Sequence, residues 1–166
     1  VLFTCFNKAL AQQLAAQLAE YPGIDVQHFH EVVRRQALAT GLPYDVPADA
    51  KAQSRFFNED CAELLLQAAE MNASRYDTLV VDEAADFAPT WWLALEALGA
   101  PGFAWYCFFD RHQSLYQEWS PPFAGEALPL DINLRNTRPV GELATRLGRC
   151  PLPLSYRVEN GPEPEL

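Results

Sequence analysis

A chain of 166 residues, 49% of them hydrophobic, is long enough to bury one core and too short for two, so a single domain is expected. Its formal net charge of −10 excludes a general affinity for nucleic acid, which Lys and Arg supply by neutralising phosphates, and leaves room only for a local groove built from few cations. No apolar run approaches the roughly 20 residues of a membrane helix and no basic segment precedes a cleavable signal, so a soluble, cytoplasmic protein with no membrane partner is expected.

Residues 1–6 are apolar and β-branched with no room for a helix cap, which predicts a buried parallel strand entered part-way along. Asn7 is placed to cap the next segment, where Leu10, Leu14 and Leu18 recur at helical spacing until Pro22-Gly23 stops it. Residues 24–29 predict a second short strand and 30–40 a helix, with a turn-rich connection over 41–47. Residues 53–71 read as one longer helix with Phe56, Phe57, Cys61, Leu64 and Leu65 inward. The clearest buried strand, 76–81, ends in Asp82-Glu83, and Pro89 then suits the first turn of a helix reaching residue 98. Residues 103–109 predict another apolar strand, again ending in an acid, Asp110. A further strand over 128–132, a helix over 139–147 and a Pro-rich tail from 151 complete the chain. Strands alternating with helices predict an α/β fold with right-handed crossovers and a parallel sheet covered on both faces. Cys5, Cys61, Cys107 and Cys150 are far apart and form no CxxC pair, so they read as buried thiols of a reducing compartment.

In open α/β sheets, ligands bind beyond the carboxyl ends of the strands, where Asp82, Glu83 and Asp110 all stand. An Asp closing the apolar run LVVD suits Mg²⁺, held directly or through water, and the adjacent Glu has the reach to orient and deprotonate an attacking water. Taken alone, the pair is better explained as a helix cap beside a solvated glutamate. The motifs around it decide.

VVDEAADF (residues 80–87) resembles the Walker B motif of superfamily 1 helicases, commonly DEAQD. FFDRHQSLY (108–116) resembles their motif III, GDxxQSIY, and INLRNTRPV (132–140) their motif IV, NYRST. Upstream, VLFTCFNKALAQQL (1–14) is similar to motif Ia and VQHFHEV (26–32) to the TFH motif that follows it. The motifs stand in the family's order over almost the whole chain, so it resembles part of the first motor domain of a UvrD/Rep-type DNA helicase. The resemblance implies a three-layer, RecA-like P-loop NTPase core, truncated at its N-terminus, over residues 1–150, with 31–75 as a small helical insert. Residues 151–166 would lead to the next domain.

The same resemblance implies roles for particular residues. Asp82 would hold Mg²⁺, Glu83 would activate water, Asp110 would join them beside ATP, and Gln113 would sense the γ-phosphate and couple it to the DNA groove. Arg135 would reach that phosphate as an arginine finger when the second motor domain of the same parent chain closes. Phe6, Asn7, Lys8, His28, Phe29 and His30 match positions that touch single-stranded or partly duplex DNA, and Tyr116 and Trp119 would add a stacking platform. Core packing is the other reading for each aromatic, and for Phe29 it is at least as good. The histidines read as loop residues rather than metal ligands, because no third ligand stands near them in sequence.

The chain departs from the family's pattern in several places. Ala85 stands where DEAQD has glutamine, Phe109 where motif III has glycine, and Leu134 where motif IV has tyrosine, while Trp119 lies one residue farther from Tyr116 than usual. No GxxxxGK[ST] phosphate loop occurs, and the resemblance puts it upstream of Val1. The expectation is therefore a fragment of a longer protein that neither hydrolyses ATP nor unwinds DNA by itself. Two rival readings stay open: a degenerate, non-catalytic helicase-like module that binds nucleic acid or protein, and a phosphoacceptor regulator built on Asp82 and Asp110.

Overall fold

Apolar runs settle as strands where both sides of the backbone can be covered, as residues 2–5 and 78–81 do, while 25–28 (DVQH) and 99–107 flank them with fewer buried side chains. The computed structural model describes residues 1–71, 75–110, 121–148 and 155–162. Its first strands are β1 (Leu2–Cys5), β2 (Asp25–His28), β3 (Tyr76–Asp82) and β4 (Gly99–Cys107). All pair in parallel, in the order β2-β1-β3-β4. The alternation of strand and helix thus gives the α/β fold with a parallel sheet that the sequence predicts.

The first helix begins where the sequence supplies a cap. Asn7 Oδ1 accepts the backbone N–H groups of Ala9 and Leu10 at the start of α1 (Lys8–Gln17), satisfying two of the donors a helix leaves open. Helix α2 (Phe29–Ala39) follows β2 without a gap. Residues 53–71, read from the sequence as one helix, are instead α3 (Ala50–Arg55), a single π turn (Phe56–Asp60) and α4 (Cys61–Glu70). Pro89 opens α5 (Pro89–Glu96) at the position where its missing N–H costs nothing.

Leu2, Leu79 and Val81 of the sheet are fully buried, as are Val33 of α2, Leu65 of α4 and Leu95 of α5. Burying side chains of this size stabilises by about 1.5–3 kcal/mol each. A polar tie runs across the start of the sheet: Tyr76 donates to Asp25 Oδ2 at 2.9 Å, and Gln36 Nε2 reaches the Tyr76 hydroxyl at 3.3 Å. Burial and the Asp25 carboxylate push the Tyr76 phenol up, so it stays a donor at any ordinary pH.

β1 sends the chain through α1 to β2 on one side, whereas β3 sends it through α5 to β4 on the other. Two neighbouring strands that lead away in opposite directions open a crevice between their carboxyl ends, the place where ligands of such sheets bind. Cys5 and Asp82, the last residues of β1 and β3, face each other there as register partners.

The sequence predicts one domain over 1–150 and a tail from 151; the chain divides into Val1–Pro122 and Phe123–Leu166. The second unit holds β5 (Ile132–Thr137), α6 (Arg138–Gly148) and β6 (Ser155–Val158), with β5 and β6 parallel. Ser155–Val158 gives β5 its partner, so α6 closes a strand-helix-strand unit of its own. Arg138 adds a charge-assisted bond from Nε to Glu159 Oε2 at 2.6 Å. Among the described residues no helix is long and apolar enough to cross a membrane.

Candidate functional site

Asp82 ends β3 half-buried, and its Oδ1 accepts the Glu83 N–H at 2.9 Å. Glu83 is held in the left-handed region, φ 51° and ψ 44°, which costs a residue with a Cβ about 1–2 kcal/mol. The surroundings enforce that conformation. Ala84 N donates to Phe108 O at 2.9 Å and Phe108 N to Val81 O at 2.8 Å, pinning the turn to the end of β4. Strain kept at the carboxyl end of a central strand makes Glu83 a candidate functional residue.

Cys5 shares the crevice with this pair. Burial, and after it the Asp82 charge, raises its thiol to about 11, so it remains neutral and does not compete for a cation. Among the described residues no group of three or more His, Cys, Asp or Glu side chains could cage a metal. Mg²⁺ takes one or two carboxylates and fills its shell with phosphate oxygens and water, so Asp82 would hold it only together with a phosphate ligand. Asp110 is exposed just beyond β4.

A cleft of about 520 Å³ lies at the carboxyl ends of β1 and β2, lined by Phe6, Lys8, His28, His30, Tyr44 and Phe57 among others. Phe6 is 47% exposed, yet its ring is placed by stacking on Trp91, with centroids 6.0 Å apart and planes 20° apart. Burial first, then the neighbouring His30 ring, lowers the His28 pKa, and burial does the same for His30. Arg34 also lines the cleft and binds Glu31 through Nε at 2.8 Å and Nη2 at 2.7 Å. The bond to Arg34 holds the Glu31 carboxyl below the usual range.

The structure therefore brings Phe6, Lys8, His28 and His30 together. Asn7 spends its side chain on the cap of α1. Phe29 is fully buried, stacked on Trp91 at 4.1 Å and 8°, so it belongs to the core and presents no face to a strand. Arg135 is exposed in the second unit, its backbone N–H bonded to Asn133 Oδ1 at 3.1 Å. Gln113, Tyr116 and Trp119 lie outside the described residues. Sequence reasoning missed Arg34, Tyr44 and Phe57 as lining residues. The one signal for Phe57 is an aromatic pair, Phe56-Phe57, inside an otherwise polar stretch.

Comparison of the chain with protein-family models, with curated proteins and with solved structures gives no match.

Proposed function

We propose that this chain is part of an ATP-dependent, superfamily 1-type DNA helicase or translocase, with a RecA-like core. In this reading it supplies the water-activating acids and one wall of a single-strand groove. The observation that carries the reading is topological: the strained acid pair and the aromatic, cationic cleft both stand at the carboxyl end of one parallel sheet, on adjacent strands. A motor that converts hydrolysis into movement along a strand needs those two chemistries close together and separately built.

Asp82 would hold the metal of an Mg²⁺–ATP complex, whose charge offsets that developing on the phosphates. Glu83, locked beside it, would orient the attacking water and take its proton. Lys8 attracts the phosphates of the nucleic acid, and Phe6 offers a ring to a base without regard to its identity. Gln113 and Arg135 keep the roles that the resemblance implies, with the second motor domain and a cytoplasmic location as parts of the same proposal.

Fluorescence anisotropy with an oligothymidylate of roughly 16 nucleotides tests the groove. The chain alone is expected to bind it, with an affinity that falls as salt rises by a log-log slope of about −0.7 per phosphate contacted. Asp82→Asn should leave that binding unchanged. Absence of binding at low salt would sink the groove, and ATP turnover by this chain alone that Glu83→Gln abolishes would sink its dependence on an upstream phosphate loop.

A further inference from the structure

The rings that line the cleft are positioned by a stretch of chain that none of the motifs includes. A π turn loosens the regular carbonyl ladder of a helix and is common at functional sites. In the π turn Phe56–Asp60, two successive carbonyls accept bonds from side chains: Phe57 O from His30 Nε2 at 3.1 Å, and Asn58 O from Trp91 Nε1 at 3.2 Å. A carbonyl can only accept, so the first bond puts the proton of neutral His30 on Nε2 and leaves Nδ1 an acceptor. Trp91 in turn carries Phe6 on its face, and His30 meets Phe57 edge-on at 4.9 Å and Phe6 at 6.5 Å. One short turn thus fixes the setting of the rings around Phe6, while Phe57 and Tyr44 add aromatic wall to the same cleft.

Charge and size select the occupant. Arg34 is paired with Glu31, the one acid of the lining, and His28 and His30 are neutral at pH 7, so Lys8 supplies the unmatched positive charge of the cleft, which fits an anionic partner such as a phosphate-bearing chain. A volume of about 520 Å³ falls within the roughly 300–1,000 Å³ of small-ligand sites, which suits one nucleotide unit. Bases inside a duplex have both faces covered by their neighbours. Only an unstacked base can offer a face to Phe6 or Phe57.

Resting on the single-strand reading above, we propose that the π turn Phe56–Asp60 and Tyr44 complete this cleft as a pocket for one unstacked base of a nucleic-acid single strand. In that pocket the turn is the positioning element for His30 and Trp91.

Anisotropy titrations of the wild-type chain and Phe57→Ala, each with an oligothymidylate and with the same strand made abasic, test the pocket. The wild type should prefer the base-bearing strand, and Phe57→Ala should lose roughly five- to a hundredfold on that strand and nothing on the abasic one. Equal loss on both strands, no loss on either, or equal wild-type affinity for a blunt duplex overturns the pocket and leaves single-strand binding standing. No binding of either strand by the wild type overturns the groove and the pocket with it. Phe57→Leu keeps an apolar side chain without a π face; folded by circular dichroism, it should show the same selective loss, and full selectivity would overturn the stacking role. Deleting Glu59 to restore α-helical register should weaken the base-bearing strand selectively, and unchanged affinity would overturn the positioning role.

Discussion

The tips of β3 and of β1 with β2 stand side by side in one sheet and are built in opposite ways. The β3 tip is an acid pair whose backbone is strained and pinned by bonds to the end of β4. The β1 and β2 tips carry rings and cations, held by stacking and by side-chain bonds to carbonyls of a π turn. The lesson is that one sheet edge keeps incompatible chemistries apart by giving each its own strand. Bringing Lys8 to the acids would cancel the charge a metal needs, and bringing the acids to the cleft would repel phosphate.

That contrast can be broken most sharply at Glu83. Joined to the phosphate loop that the resemblance places upstream, Glu83→Gln should lower DNA-stimulated ATP turnover by about 10²- to 10⁴-fold while oligothymidylate affinity holds. A parallel loss of both activities would mean that the two tips are one site. Trp91→Ala comes next, because Trp91 is buried, stacks on Phe29 and carries Phe6. Denaturant unfolding should show a loss of about 3–5 kcal/mol, with strand binding falling alongside. Phe6→Ala should leave the fold intact and weaken strand binding by roughly five- to a hundredfold, and Lys8→Ala should flatten the salt slope by about 0.7.

Glu83→Gly offers a smaller and opposite change: the left-handed backbone no longer opposes a Cβ, so thermal stability should rise by about 1 kcal/mol. Any hydrolysis that depends on Glu83 should vanish at the same time. pH should produce the smallest effect and should separate the cleft from the acids. His28 and His30 sit below their ordinary value of 6.5, so both are neutral at pH 7. A bound phosphate favours the charged rings, so strand affinity should rise as pH falls below about 6.5, a trend that His28→Gln with His30→Gln removes. Stability runs the other way: with depressed folded values, the unfolded chain takes up protons first. The contribution of the neutral rings is therefore complete above 6.5 and is lost as pH falls toward the folded values.

The central strands were legible because burial on both sides leaves unbroken apolar runs, and TLVVD fell where β3 ends. β4 was read too short at its start, since Pro101 and Gly102 argue against a strand; an edge position tolerates them because only one side of the backbone must pair. The π turn was masked because Phe57, Cys61, Leu64 and Leu65 keep α-helical spacing, and the five-residue step from Phe56 to Cys61 was its one sign in the sequence. Phe6 and Phe29 are the same residue type at the ends of neighbouring strands, and only packing on Trp91 decides that one is displayed and the other enclosed. The second unit was hidden because its closing strand is four residues long and lies in a segment rich in proline.

The adjacency of β1 and β3 has a kinetic side. Leu2 pairs with Leu79, so the central ladder joins the two ends of a very long loop, whose closure must be completed before any bond in that ladder rewards it. Helices such as α2 and α4 can form within microseconds, whereas distant parallel pairing is slow. The crevice between Cys5 and Asp82 should therefore form after those helices during refolding, and any cut between residues 5 and 82 separates its two sides.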